Sequence, residues 1–102
     1  MKKNDANLKK SLIDMLYTHK INESSKISKH FAKHVSSMLK VKNRGSRAAN
    51  FSVLRNTLMP AILIEVGFLS NKTEAEKLKS RKYRQKIAES LAESLIRYAQ
   101  RY

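Results

Sequence analysis

Residues 61–68 read AILIEVGF and form the most apolar stretch of the chain. A nearly continuous apolar run of this length is typical of a β-strand buried on both faces, as in a parallel sheet covered by helices. The stretch FSVLR, residues 51–55, is short and rich in aromatic and β-branched residues, which favours a second strand. The two stretches predict an α/β fold with about two strands, near residues 51–55 and 61–66, and three to four helices.

Upstream of these strands, apolar residues recur at helical spacing over residues 7–39. The pattern is compatible with one bent helix or with two. Asn22, Ser24 and Ser25 lie just before the second set of apolar residues and are candidate N-caps for a second helix. The interval 40–50 is polar and basic, contains a glycine, and is expected to form a loop.

Downstream of the strands, two further helices are expected. Residues 73–76, TEAE, resemble a capping box at the start of the first one. In the second, apolar side chains from Tyr83 to Tyr102 mark a single helical face, and Ser80 is its plausible N-cap.

Two strands do not complete a sheet that is buried on both faces. A strand such as 61–66 needs neighbours on each side to pair its backbone amides and carbonyls, and only residues 51–55 are available. The pattern therefore predicts either an oligomer or a portion of a larger α/β domain.

Composition narrows the class of protein. The 102 residues fit one domain, and the absence of Cys excludes disulfides, thiolate metal sites and a catalytic thiol. The longest wholly apolar run has four residues, Ala61 to Ile64, against the roughly 20 needed to span a membrane. The first ten residues, MKKNDANLKK, are not followed by an apolar core, so no export signal is expected in this chain.

The charge of the chain suggests a second class of function. Lys and Arg total 22 against 8 Asp and Glu, giving a formal net charge of +14. Such a charge attracts polyanions, so a basic helical module that binds nucleic acid or another polyanion is the alternative hypothesis. The basic residues are spread along the whole chain and the aromatic residues do not alternate with them, which does not favour nucleic acid.

Glu65 is the residue that does not fit its surroundings. It lies between Ile64 and Val66 near the carboxyl end of the predicted strand. A carboxylate there must be paired, metal-bound or raised in pKa, because desolvation disfavours its charged form. Ligands of open α/β sheets gather at the carboxyl ends of strands, so Glu65 is a candidate general acid/base. The alternative is a structural ion pair, for instance with Arg55.

Other candidate catalytic or metal-binding residues are weaker. His30 and His34 are four apart on a predicted helix, but the acid of the H-E-x-x-H zinc motif is missing between them. Both His are interpreted as surface residues, as is His19. No serine lies in a G-x-S-x-G motif, and the two glycines do not form a phosphate-binding loop.

Residues 44–71, RGSRAANFSVLRNTLMPAILIEVGFLSN, resemble a motif of the zinc-dependent N-acetylmuramoyl-L-alanine amidases of bacterial cell walls. The family pattern has an Arg-Gly turn, a strand ending near V-L-R, and then M-P-A/S-I/V-L-V/I-E-x-G/A-F-I/L-S-N. Residues 11–28 and 74–98 resemble the helices on either side of that motif. The likeness covers nearly the whole chain and identifies it with the C-terminal half of the family's catalytic domain.

The resemblance implies a function for Glu65, which falls on the family's catalytic glutamate. In the family, zinc activates a water that cleaves the amide bond between N-acetylmuramic acid and L-alanine of peptidoglycan, in the periplasm or cell wall. The family's zinc ligands, two His and one Glu, lie in the half that precedes this one. His19, His30 and His34 do not match them. We therefore expect no metal ligands in residues 1–102, an N-terminal metal-binding half as a partner, and no activity from this chain alone.

Overall fold

The computed structural model describes residues 3–47 and 52–101, and this part of the chain contains four helices. They are α1 (Lys3–Leu39), α2 (Ser52–Arg55), α3 (Lys72–Lys79) and α4 (Arg81–Arg101). α1 packs against α4, and α3 packs against the start of α4. The described residues form no β-strand, so the predicted α/β class with a mixed sheet is wrong for this structure.

Both predicted strands have other conformations. Residues 52–55 form the single helical turn α2, while Phe51 lies outside the described residues. Residues 61–68 form neither a helix nor a strand. An apolar segment becomes a strand only when another backbone offers complementary hydrogen bonds. The helical turn at residues 52–55 removes the one candidate that the sequence offered.

α1 is a single helix, which settles the ambiguity at residues 7–39. Asn22, Ser24 and Ser25 lie inside it and cap nothing. The helix ends in a Schellman motif, in which Lys40 has a φ of 55° and the amide of Val41 donates to the carbonyl of Ser36 at 3.0 Å. The motif usually places glycine where this chain has Lys40.

The two later helices begin at side-chain caps. Ser80 caps α4 as expected, since its Oγ accepts from the amide of Tyr83 at 3.2 Å. The cap of α3 is Asn71, whose Oδ1 accepts from the amide of Glu74 at 3.1 Å, so the prediction of a capping box at residues 73–76 was two residues late. The acid three residues after the cap is therefore Glu74.

α2 has a single turn and depends on a distant side chain. Lys20 of α1 is 4% exposed, and its Nζ donates to the carbonyls of Leu54 and Thr57, each at 2.5 Å. These carbonyls lie at the C-terminal end of α2, where unpaired carbonyls favour a positive charge. Lys20 thus ties residues 54–57 to the middle of α1.

The buried core is small and lies between α1 and α4. Phe31 and Ile87 are 8% and 6% exposed, and Ser90 and Ser94 are almost wholly buried. Two small serines on α4 let the backbones of the two helices approach each other closely. Residues 4–19 of α1, by contrast, are exposed along their whole length. None of the described helices is long and apolar enough to cross a membrane.

Candidate active site

An open groove of about 780 Å³ runs along the carboxyl-terminal half of α1. Its other walls are residues 41–47, residues 62–68 and the first residues of α3 and α4. Apolar side chains such as Phe31 and Ile87 form part of its lining. A concave surface lined mainly by apolar groups, with a few charged groups along it, is the usual setting of a substrate site.

Glu65 lines this groove and is exposed to solvent. Among the residues the structure describes, it takes part in no hydrogen bond or ion pair, and Arg55 does not pair with it. The expectation that its carboxylate is buried is therefore wrong, as is the alternative of an ion pair with Arg55. An exposed, unpaired carboxylate in a groove is free to exchange protons with a bound molecule.

Glu74 is a second carboxylate of the groove, and sequence reasoning assigned it no role. One of its oxygens accepts from the amide of Phe68 at 2.7 Å, and the other pairs with the guanidinium of Arg44. The hydrogen bond from the Phe68 amide lowers the pKa of Glu74; partial burial raises it, and Arg44 lowers it further. The position of Glu74, three residues after the N-cap Asn71, is the feature of the sequence that could have indicated this role.

The groove carries more positive than negative charge. Lys42, Arg47 and Lys77 line it in addition to Arg44. Lys77 stands 5.8 Å from the centroid of the Tyr83 ring, within the range of a cation–π contact. The site thus combines carboxylates that accept protons or hydrogen bonds with cations that favour an anionic group nearby.

His30 and His34 join α1 to α4 and are half-buried, contrary to the prediction that they are surface residues. His30 Nε2 donates to the carbonyl of Ser94 at 2.9 Å, and His34 Nδ1 contacts the Ser94 hydroxyl at 2.5 Å. Since that hydroxyl donates to the carbonyl of Ser90 at 2.7 Å, His34 Nδ1 is the donor in its own contact. The spacing of Ser90 and Ser94, one turn apart on α4, is the feature of the sequence that could have indicated this close contact between the helices.

The groove and its surroundings contain few side chains of the types that bind metal ions. Within residues 3–47 and 52–101, no three His, Cys, Asp or Glu side chains come together in a group that could hold a metal ion. His30 and His34 each use one ring nitrogen on Ser94. The described side chains therefore do not form a zinc site.

Comparison with known families gives one strong match. Residues 4–97 match the model of the family described as N-acetylmuramoyl-L-alanine amidase. No solved structure matches the chain significantly.

Individual relatives carry the same description. The N-acetylmuramoyl-L-alanine amidase AmiA of Escherichia coli (strain K12) is 33% identical over 91 residues, covering 89% of this chain and 32% of that protein. AmiC of Neisseria meningitidis serogroup B is 35% identical, covering 90% of this chain and 22% of its own length. CwlM of Bacillus licheniformis is 52% identical over 56 residues, covering 55% and 22%. The chain thus spans a third or less of these relatives.

Proposed function

This chain belongs to the N-acetylmuramoyl-L-alanine amidase family, and we propose that residues 1–102 are the C-terminal portion of a peptidoglycan amidase domain with Glu65 as its general acid/base. The reaction is hydrolysis of the amide bond between the lactyl group of N-acetylmuramic acid and L-alanine. Water adds to the carbonyl carbon and the C–N bond breaks. A carboxylate and a free amine are the products.

The observation that carries this proposal is the free carboxylate of Glu65 in the groove. A general base must reach the water that attacks the amide, and must then deliver a proton to the departing nitrogen. A carboxylate held in an ion pair would be poorly available for both transfers. Glu65 has no such partner in the part of the chain that the structure describes.

The surface of the chain supports the view that it is a portion of a domain. Its accessible area is 8511 Å², whereas a compact monomer of 11.8 kDa exposes about 5,900 Å². The excess, about 2,600 Å², is of the size that permanent interfaces bury. Its Cα radius of gyration is 17.8 Å, against about 13 Å for a compact domain of this length. We propose that the rest of the amidase domain covers this surface.

Zinc enters the proposal through the family alone. The described side chains do not fit a zinc site. We propose that the zinc ligands belong to the remaining portion of the domain, which would also be the partner of this chain. Peptidoglycan would be met in the periplasm or the cell wall.

The experiment that tests Glu65 is a Glu65→Gln substitution in this chain, supplied together with the metal-binding portion of a related amidase. Glutamine keeps the size of the side chain but cannot take a proton from water. Turnover on peptidoglycan should fall by about 10²–10⁴-fold, while the melting temperature and substrate binding should not change.

The matched control is Glu76→Gln, which neutralises an exposed carboxylate on α3 whose ion pair with Lys79 is solvent-accessible. This variant should retain full turnover. Loss of turnover in Glu65→Gln that merely follows a lower melting temperature would contradict a catalytic role, and so would unchanged turnover per folded molecule.

A further inference from the structure

The segment that carries Glu65 is held by side chains at its two ends. Between residues 61 and 68 the described backbone forms no helix and no strand. At one end, the amide of Ala61 donates to Ser24 Oγ at 2.9 Å. At the other, the amide of Phe68 donates to Glu74 Oε2 at 2.7 Å. Glu65 lies between these anchors and closer to the second one.

The second anchor is built on one face of α3. Glu74 and Leu78, one turn apart, both face Gly67. Gly67 has a φ of +156°, and a Cβ atom there would lie 3.3 Å from Leu78 Cδ1 and 3.7 Å from the Cβ of Glu74. The absence of a side chain at residue 67 therefore lets α3 approach the backbone two residues after Glu65.

Arg44 completes this anchor from the opposite wall of the groove. Its guanidinium pairs with Glu74 Oε1 and stands 5.6 Å from the centroid of the Phe68 ring. Glu74 is 20% exposed at its side chain, and Asn71 caps the helix at the Glu74 amide. One carboxylate therefore joins residues 41–47, the end of segment 61–68 and the first turn of α3.

We infer that Glu74, held by Arg44, is the positioning residue for Glu65: it fixes the backbone of Gly67 and Phe68 and so sets where the Glu65 carboxylate lies in the groove. The catalytic meaning of this inference rests on the proposed function. The geometric part does not rest on it, because it concerns only how the backbone at Phe68 is held. Glu74 itself touches no reacting atom.

The lowered pKa of Glu74 agrees with this geometry. Its charged form is the one that accepts from the Phe68 amide and pairs with Arg44, and Lys77 adds a further positive charge nearby. The anchor should therefore remain intact at neutral pH and loosen only in acid below the usual range for a glutamate.

The experiment compares three variants of the full chain, with and without the metal-binding portion of a related amidase. Glu74→Ala removes both contacts. Glu74→Gln can still accept from the Phe68 amide but loses the charge that holds Arg44. Glu76→Ala is the control, since Glu76 is 71% exposed and lies on the same helix. Protection of the Phe68 amide from exchange and turnover on peptidoglycan should both fall most in Glu74→Ala, less in Glu74→Gln and not at all in Glu76→Ala.

The first measurement is amide hydrogen exchange of residues 61–70, which needs no activity. Exchange at Phe68 should accelerate in Glu74→Ala by at least tenfold relative to Glu76→Ala, while exchange at Ala61 should not change. Equal exchange at Phe68 in the two variants would overturn the geometric part of the inference.

The second measurement is turnover on peptidoglycan with substrate concentration varied. A displaced general base lowers kcat and leaves KM unchanged, and a misplacement of about 1 Å can cost about 100-fold. We expect kcat to fall about 10–100-fold in Glu74→Ala, with partial recovery in Glu74→Gln. A merely structural role would instead lower kcat only in proportion to the folded fraction.

The two proposals fail in different ways. If Glu65→Gln abolishes turnover but Glu74→Ala matches Glu76→Ala, the positioning inference is wrong and the function of Glu65 stands. If Glu65→Gln leaves turnover intact, the proposed function is wrong, and hydrogen exchange at Phe68 alone decides whether Glu74 holds the segment.

Discussion

The two halves of α1 belong to one continuous helix but differ in what they contact. Its carboxyl-terminal half packs on α4, buries Phe31 and uses His30 and His34 as hydrogen-bond donors to Ser94. Its amino-terminal half has apolar side chains at helical spacing, yet Leu8, Leu12 and Leu16 are 61%, 52% and 50% exposed. The helical spacing of apolar residues therefore marks a contact face on both halves of α1. Within the described structure, only the carboxyl-terminal half makes such a contact.

Large apolar side chains are exposed in a second region as well. In and around residues 61–68 they include Met59, Val66 and Leu69. A typical monomer leaves only a few hundred Å² of contiguous apolar surface uncovered, and larger patches mark interaction sites. Substitutions in the packed and the unpacked half of α1 should therefore have different effects on stability.

The largest effect is expected from Phe31→Ala. Truncating a buried Phe costs about 3–5 kcal/mol, through lost burial and the cavity left behind. Urea unfolding followed by the helix signal should show this loss. Leu12→Ala, on the exposed half of the same helix, is the matched control and should change the free energy of unfolding by less than about 0.5 kcal/mol. Similar losses in the two variants would abolish the distinction between the halves.

A smaller loss is expected from Ser94→Leu. The serine is wholly buried where α1 and α4 meet, so a larger side chain must push the helices apart, at a cost of about 1–3 kcal/mol. The donor nitrogen of His34 also loses its acceptor. Ala92→Leu introduces the same side chain at an exposed position two residues away, without such a clash. Equal melting temperatures for the two variants would show that the helices are not in close contact.

The packed half should also weaken in mild acid. Burial lowers the pKa of His34, Arg97 and His30 lower it further, and Glu93 raises it. The unfolded chain then binds the proton more readily than the folded one, so stability from this group is complete above pH 6.5 and is lost as pH falls through the folded pKa.

The measurement for this pH effect is the free energy of unfolding between pH 7.5 and 5. His34→Gln should flatten the decline on acidification, whereas His19→Gln, on the exposed half of α1, should retain it. A decline of the same slope in both variants would assign the effect to other groups.

The smallest effect on the isolated chain is expected from Leu12→Ser combined with Leu16→Ser. Both side chains are already largely exposed to water, so the free energy of unfolding should change by less than about 0.5 kcal/mol per site. If the remaining portion of an amidase domain covers this face, the same double substitution should weaken the binding of that portion to this chain at least tenfold. Undiminished association would place the covering surface elsewhere.

The sequence predicted best where local chemistry decides the structure. The cap at Ser80 and the helical conformation of α4 depend on contacts within a few residues, and both were found. The predicted apolar face is buried only in part, since Ile87 is buried but Leu95 is 59% exposed, and Tyr102 lies outside the described residues. Residues 61–68 were misjudged because a strand is a property of two backbones, and no partner backbone lies beside this one in the described structure. The roles of Ser94 and Glu74 depend on residues 60 and 30 positions away, respectively, which spacing along the chain does not reveal.

The attachment of α2 to Lys20 has a consequence for how freely this region can vary. A four-residue helix is too short to persist by itself, so a single ammonium group decides the path of the connector. That ammonium recognises two main-chain oxygens, which every amino acid supplies. Substitutions at position 54 should therefore not disturb this contact, whereas position 20 requires a long side chain ending in several donors. The path of residues 54–57 therefore depends on a residue of α1, far away in the sequence.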